Sequence, residues 1–251
     1  MPRISVLETP AGIAPGGLAG HVAVVIDVLR ATSSITTAIS SGCRSVIPAG
    51  SKDEAVRLKS VHPGALLGGE IGGRKIEGFD LGNSPGEYGK EAVSGKDIIM
   101  STSNGTKAIL GAKRGGADPV LICSFLNLDA VAREVLSEVA GQGKHVAIVC
   151  SGSLGQFSLE DFACAGALVK ALCRDCGPAE LAPDGPAKKA LETFNTHDSD
   201  PIKVFCNSPH GQNLKEMGFE GDLELCARVS SLDAVPRFDG ERIIGYRLLE
   251  G

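Results

Sequence analysis

The sequence has 251 residues and an apolar fraction of 43%, which is enough to bury a sizeable hydrophobic core. Its net charge of −5, without any Lys- or Arg-rich stretch, disfavours a general nucleic-acid-binding surface. No apolar run approaches the roughly 20 residues that a membrane span needs, and the N-terminal residues lack the apolar segment of a signal peptide. We therefore expect a cytoplasmic protein without membrane or nucleic-acid partners.

The first half of the chain predicts alternating strands and helices. Short, β-branched apolar runs predict strands at residues 21–28, 44–48 and 96–100. Amphipathic patterns predict helices at residues 33–41, 51–61 and 106–112. Ser51 and Glu54 have the spacing of a capping box at the start of the second of these helices. Ser84 and Pro85 are typical of the start of one further helix.

The second half continues the alternation and then changes character. Strands are predicted at residues 119–124 and 144–150, and helices at residues 127–140, 158–172 and 183–195. Short apolar runs predict late strands at residues 204–205, 223–229 and 243–249. The alternation predicts an α/β layered architecture with parallel or mixed pairing, and the late strands predict some antiparallel pairing. We interpret residues 1–251 as one α/β domain, with Gly115-Gly116 as the best candidate hinge.

The eight cysteines are scattered, and several lie inside apolar strand or helix patterns. We interpret them as reduced, buried thiols, which agrees with a cytoplasmic protein. Cys173 and Cys176 have CxxC spacing, but one pair without a second is only a weak indication of a zinc or redox site.

The segment with the clearest chemical pattern is residues 68–85, which holds six glycines, three carboxylates and an adjacent Arg74-Lys75 pair. Its glycines permit a close approach of backbone to a ligand. Its carboxylates, Glu70 and Asp80 among them, suit a hard cation, and the two cations suit an anion. The segment therefore predicts a metal-bound phosphate or similar oxyanion.

Two further strand ends carry polar residues. Asp27 follows an apolar strand and can bind a metal, while Arg30 can clamp an oxyanion through two parallel hydrogen bonds. The alternative is an Asp–Arg ion pair without a functional role. Ser103, Asn104 and Gly105 lie between a strand and a helix, which suits a phosphate cradle or an ordinary capped helix start.

A third strand end leads to Glu160 and Asp161, which fall in the first turn of a predicted helix. Favourable interaction with the helix dipole alone accounts for acidic residues at that position. The functional interpretation is that one of the two completes a Mg²⁺ site with Asp27 and Glu70, because ligands in open α/β sheets bind beyond the carboxyl ends of strands. His210 is a candidate proton donor, although a lone His is more often structural.

Four segments together resemble the 2-phosphosulfolactate phosphatase family. They are VVIDVLRATSSITTAI, GGEIGGRKIEGFDLGNSP, STSNGTKAI and GQFSLEDFACAGAL. The resemblance spans most of the chain and implies a three-layer α/β/α fold with a mixed, largely parallel sheet. It also implies a Mg²⁺-dependent acid phosphatase that converts 2-phospho-3-sulfolactate, a small anionic phosphorylated substrate, to 3-sulfolactate and phosphate. In methanogens that step belongs to coenzyme M biosynthesis.

The polar loops and the resemblance together predict three sets of site residues. The predicted metal ligands are Asp27, Glu70 and Asp161. The predicted substrate-binding residues are Arg30, Arg74, Lys75, Ser103, Asn104 and Gly105. The predicted catalytic residues are Asp27, Asp80 and Asp161.

The chain departs from the resemblance at one loop. Similar proteins tend to carry an Arg and an acidic residue where this chain has Ser153-Leu154, and another Arg in place of Gln156. If those cations bind sulfonate or phosphate, this chain lacks part of the anion clamp. The alternatives are therefore a non-catalytic binder of small phosphorylated or sulfonated acids and a metal-dependent hydrolase of another phospho-acid. Apolar late strands would suit the edge of a homodimer.

Overall fold

Residues 1–176 and 181–246 are described by a computed structural model. The strands of these residues are β1 (Arg3–Leu7), β2 (His21–Ile26), β3 (Ser45–Ala49), β4 (Leu66–Ile71), β5 (Arg74–Lys75), β6 (Asp97–Ser101), β7 (Val120–Cys123), β8 (His145–Cys150), β9 (Ala182–Pro183), β10 (Val235–Phe238) and β11 (Ile243–Tyr246). The α-helices are α1 (Ala31–Ser40), α2 (Lys52–Val61), α3 (Lys90–Val93), α4 (Gly105–Arg114), α5 (Leu128–Gln142), α6 (Leu159–Cys176), α7 (Gly185–Thr196), α8 (Pro201–Asn207), α9 (Pro209–Glu216) and α10 (Glu220–Cys226).

All of these strands join one sheet in the order β5-β4-β6-β3-β11-β10-β7-β2-β8-β1-β9. One parallel block contains β4, β6 and β3, and the other contains β7, β2, β8, β1 and β9. The antiparallel strands β10 and β11 connect the two blocks. The mixed, mostly parallel sheet with helices on its faces confirms the expected α/β/α architecture.

Successive residues of β2 enter different hydrophobic cores. Val24 and Ile26 pack in a core with residues of α5 and α6, while Val25 packs in another with Ile35 of α1 and Ile109 of α4. A third, smaller core lies against α2. Because both faces are covered, the strand is a continuous apolar run without polar alternation, as is usual for parallel sheets.

The curvature of the sheet brings distant strand ends together. The two parallel blocks run in opposite senses, because the antiparallel strands lie between them. A twist of roughly 20–25° per neighbour accumulates to roughly 120–150° over the six steps from β2 to β4 and turns their carboxyl ends towards one another. Both α1 and α4 contact strands of both blocks, so these two helices pack across the junction between the blocks.

The predicted elements before residue 176 are confirmed with small shifts of their ends. The capping residue Ser51 accepts a hydrogen bond from the Glu54 N–H at 3.2 Å. The segment that begins at Pro85 is a 3-10 helix, and β1 was not predicted. No helix within residues 1–176 and 181–246 has the length and apolarity that crossing a membrane requires.

Two late strand predictions are wrong. Residues 204–205 lie in α8, and residues 223–226 of the other prediction lie in α10. Short apolar runs do not distinguish a strand from a buried helical turn, and the buried residues Leu223 and Cys226 have the i, i+3 spacing of a helix face. The predicted strand at residues 243–249 is confirmed as β11, although its residues 247–249 lie outside the described residues.

Candidate active site

A cleft of about 140 Å³ opens where the segments that follow β2, β4, β6 and β8 meet helix α9. Five of the predicted site residues line it: Asp27, Arg30, Glu70, Ser103 and Asn104. These residues are far apart in sequence, and the order and twist of the strands bring them together. The same cleft is the candidate functional site.

Asp27 lies at the base of the cleft, directly after β2, and is 8% exposed. Burial, followed by the negative charges of Glu70 and Glu160, raises its pKa to about 7. The backbone N–H groups of Ala31 and Gly105 donate hydrogen bonds to the carboxylate and partly oppose that rise. Asp27 is therefore a buried acid with two anionic neighbours, and a cation bound beside it would stabilise its charged form.

Glu70 fixes two loops of the cleft. Its Oε1 accepts the Ser103 N–H at 2.7 Å, and its Oε2 accepts the Gly73 N–H at 2.7 Å. The Ser103 hydroxyl also donates to Oε2, at 3.1 Å. Glu70 is only 7% exposed and lines the cleft with Asp27. The predicted phosphate cradle therefore uses the N–H of Ser103 to orient a carboxylate.

The glycines beside Glu70 allow close packing of the chain. Gly69 has φ +141°, and a Cβ atom there would lie 1.9 Å from the Ser101 carbonyl oxygen. A side chain at Gly69 would therefore force β4 away from β6. Gly105 is similarly restricted, since its Cβ would lie 2.6 Å from Asp27 Oδ2. The lack of a side chain at these two glycines therefore allows the close packing around the Glu70 and Asp27 carboxylates.

Asp161 lies behind the cleft and does not line it. Its Oδ1 accepts the Val28 N–H at 2.9 Å, and its Oδ2 accepts the Gly152 N–H at 3.2 Å. Burial, followed by the charges of Asp27 and Glu160, raises its pKa well above the ordinary range. Both oxygens thus connect the loops after β2 and β8. These hydrogen bonds give Asp161 a positioning role, and because it does not line the cleft we leave its predicted roles as metal ligand and catalytic residue out of the proposed site.

Arg30 is 2% exposed and joins the C-terminal helices to the cleft. Its Nη1 donates to Asp222 Oδ2 at 2.6 Å, and its Nη2 donates to the Gly73 carbonyl at 2.6 Å. Its guanidinium carbon lies 4.2 Å from the centre of the Phe219 ring. The ion pair of Arg30 is therefore with Asp222 and not with Asp27, the partner that the sequence alternative had given it. Arg30 also lines the cleft, and its remaining N–H groups are available to a bound anion.

The other charged residues of the glycine-rich segment do not line the cleft. Arg74 and Lys75 form the short, exposed strand β5, and the Lys75 ammonium donates to the Asp80 carbonyl at 2.6 Å. The Asp80 carboxylate accepts the Leu67 N–H at 2.8 Å. We therefore leave all three out of the proposed site. Gly105 is left out as a substrate contact because its N–H already donates to Asp27.

Several residues of the cleft were missed. Asn83 and Asn213 line it although no role was predicted for them, and Leu154 and His210, which were named without being placed in the predicted site sets, line it as well. Asn83 could have been found because it lies within the glycine-rich segment. Asn213 lies three residues after His210, so the pair shares a face of α9, and that spacing has meaning only once the helix is known.

The cleft meets the requirements of Mg²⁺ with a smaller ligand set than the one predicted. No group of three or more His, Cys, Asp or Glu side chains in the described part of the chain is arranged to hold a metal ion. Mg²⁺, however, is usually held by one or two carboxylates together with waters and substrate phosphate. Asp27 and Glu70 supply two, and their repulsion contributes to the raised pKa of Asp27. These two residues line the cleft and fit the ion, whereas Asp161 does not line it.

The raised pKa of Asp27 predicts a pH dependence of stability in metal-free protein. A carboxyl group whose pKa rises on folding binds more protons when folded, so its contribution to stability is lost as pH rises through the folded value of about 7. We expect the free energy of unfolding, measured by urea titration with EDTA, to fall between about pH 4 and about pH 7. Asp27→Asn should reduce this fall. An identical pH dependence in the variant would contradict the assignment.

Comparisons with known proteins identify the family of the chain. A sequence model of the family described as 2-phosphosulpholactate phosphatase matches residues 7–241, which include every residue that lines the cleft. A probable 2-phosphosulfolactate phosphatase of Symbiobacterium thermophilum is 42% identical over 229 residues, which cover 90% of this chain and 95% of that protein.

Two further relatives carry the same name. The protein of Caldicellulosiruptor saccharolyticus is 41% identical over 217 residues, which cover 86% of this chain and 88% of the relative. That of Clostridium perfringens is 40% identical over 246 residues, covering 96% of this chain and 95% of the relative. These matches extend over nearly the whole length of both partners. The chain belongs to the 2-phosphosulpholactate phosphatase family.

Proposed function

We propose that the protein is a Mg²⁺-dependent phosphatase that hydrolyses 2-phospho-3-sulfolactate to 3-sulfolactate and phosphate. The observation that carries the proposal is the meeting of two buried carboxylates, Asp27 and Glu70, with Arg30 in one cleft. The names of the relatives supply the substrate. A cytoplasmic location, a part in coenzyme M biosynthesis and a homodimeric assembly remain predictions.

The charges of the cleft support the need for a divalent cation. Its charged side chains are the carboxylates of Asp27 and Glu70 and the guanidinium of Arg30, and Arg30 is already paired with Asp222. The proposed substrate carries phosphate, carboxylate and sulfonate groups. Such an anion would be repelled unless a cation offsets the two carboxylates.

Neutral donors of the cleft suit recognition of the substrate's oxygens. Asn104 Oδ1 accepts the Leu154 N–H at 3.1 Å, which leaves its amide NH₂ group to donate to an anion. Asn83 and Asn213 add two more amide groups to the cleft wall. Amide donors bind an oxyanion without adding charge, so they orient the substrate while Arg30 provides electrostatic attraction.

In the proposed mechanism, each residue has a limited task. Asp27 and Glu70 would hold Mg²⁺, which when bound polarises a phosphate oxygen and lowers the pKa of a coordinated water. Arg30 offsets the charge that develops on the phosphoryl oxygens. Asp161 holds the loop that carries Asp27 through its hydrogen bond with the Val28 N–H. The buried position of both carboxylates strengthens these interactions because little water screens them.

A non-catalytic binder of small acidic ligands is the second candidate. Leu154 lines the cleft and is 84% exposed, and the neighbouring Ser153 is neutral, so this part of the wall supplies no cation. A weaker anion clamp would allow the cleft to retain a ligand without stabilising the charge of a transition state.

Phosphate release separates the candidates. The purified protein is incubated with 2-phosphosulfolactate, 2-phospholactate and 2-phosphoglycerate, each with Mg²⁺ and with EDTA. We expect release from 2-phosphosulfolactate in Mg²⁺ and its loss in EDTA. Faster release from another phospho-acid would indicate a different substrate. Binding without release from any of them would favour the second candidate, and undiminished release in EDTA would contradict the metal requirement.

A further inference from the structure

A second cavity adjoins the cleft. It has a volume of about 200 Å³. The residues that line it include Ser158, which directly precedes α6, and Glu160, which lies in the first turn of that helix. Ser153, His210 and Asn213 line both cavities and therefore form the boundary between them. His210 is the titratable member of that boundary.

The orientation of the His210 ring is fixed on one side. Its Nε2 lies 2.9 Å from the Leu29 carbonyl oxygen, which can only accept, so Nε2 carries a proton. Its Nδ1 has no hydrogen-bond partner among the described residues. The start of α9 is held by Ser208, whose hydroxyl accepts the Gly211 N–H at 2.9 Å. The second ring nitrogen is therefore free to contact a ligand of the cleft or the adjoining cavity.

The other charged groups that face the two cavities are Asp27, Glu70, Arg30 and Glu160. Asp27 and Glu70 are the proposed metal ligands, and an Arg side chain does not release its proton. Glu160 lines only the second cavity. Among the described residues of the cleft, His210 is thus the side chain that can carry and release a proton without serving the metal.

We propose that His210 is the catalytic residue that protonates the leaving group, an inference that rests on the proposed function. As the bond between phosphorus and the ester oxygen breaks, its electron pair stays on that oxygen, and the oxygen takes the proton from Nδ1 of the imidazolium. The products are the free alcohol, phosphate and neutral His210. The proton that the attacking water loses returns to the imidazole through solvent. A secondary alkoxide is a poor leaving group, so this proton transfer lowers the barrier.

The test compares two substrates of the same shape. One is 2-phosphosulfolactate, and the other has sulfur in place of the ester oxygen that joins phosphorus, so its leaving thiolate needs no proton. We expect His210→Gln, whose amide can still donate to the Leu29 carbonyl, to lower kcat about 10²- to 10³-fold on the oxygen ester. The loss on the sulfur ester should be less than about 10-fold. His210→Asn is measured beside it, so that the result does not depend on one replacement.

Gln212→Ala is the matched control, because Gln212 is on the same helix and lines neither cavity. It should hydrolyse both esters at the wild-type rate. Equal losses on the two esters, or no loss on the oxygen ester in a variant that unfolds at the wild-type temperature, would overturn the role of His210. A wild-type protein that hydrolyses neither ester would instead overturn the proposed function, and the role of His210 with it.

Discussion

Turnover by an Asp27→Asn variant is expected to fall by about 10³-fold or more in the presence of Mg²⁺. Asn has nearly the shape of Asp, and its carbonyl oxygen can still accept the N–H groups of Ala31 and Gly105. What it lacks is the negative charge that is proposed to bind the cation. The variant should therefore fold normally and lose catalysis, which a phosphate-release assay beside thermal unfolding would establish.

Asp80→Asn is the matched control for that variant. The Asp80 carboxylate accepts the Leu67 N–H and lies outside the residues that line the cleft. The same chemical change should therefore leave turnover near the wild-type value. Wild-type turnover by Asp27→Asn, or an equal loss in both variants, would contradict the proposed metal-binding role of Asp27.

The largest loss of stability is expected for Arg30→Met. This change leaves Asp222 buried without its cation, and removing one partner of a buried ion pair costs about 3–5 kcal/mol. It also removes the hydrogen bond to the Gly73 carbonyl and the contact with Phe219. The free energy of unfolding from urea titration measures the loss, and turnover should fall as well.

The surface pair of Arg44 and Asp97 provides the control for this prediction. Arg44 is 67% exposed, and exposed ion pairs contribute at most about 1 kcal/mol. Arg44→Met should therefore change stability little. Because the main penalty in Arg30→Met is the unpaired Asp222, adding Asp222→Asn should recover part of the loss. Equal effects of Arg30→Met and Arg44→Met would contradict the structural role of Arg30.

The strand–helix alternation was predictable because buried parallel strands are continuous apolar runs, as in β2. Helices α8 and α10 were not predictable, because their short apolar stretches also fit strands. That error had a consequence for the site. Asp222, the partner of Arg30, was hidden at the edge of a predicted strand, so the ion pair could not be identified.

The candidate site was predictable where a residue's chemistry and its place at the carboxyl end of a strand agree, as for Asp27 and Glu70. Arg74 has the chemistry of an anion ligand, but its exposed place on β5 depends on the turn at Gly72 and Gly73. The positioning role of Asp161 depends on hydrogen bonds with the loops after β2 and β8, which the sequence pattern does not indicate. Such partners are set by the twist of the sheet, which a strand pattern does not reveal.

Calorimetric titration of the metal-free protein with Mg²⁺ tests most directly whether Asp27 and Glu70 hold the cation. The wild-type protein, Asp27→Asn, Glu70→Gln and the control Asp80→Asn are titrated at the same pH. One bound ion in the wild type and the control, with binding lost in the two cleft variants, is the predicted result. Unchanged Mg²⁺ binding by both Asp27→Asn and Glu70→Gln would contradict the proposed site.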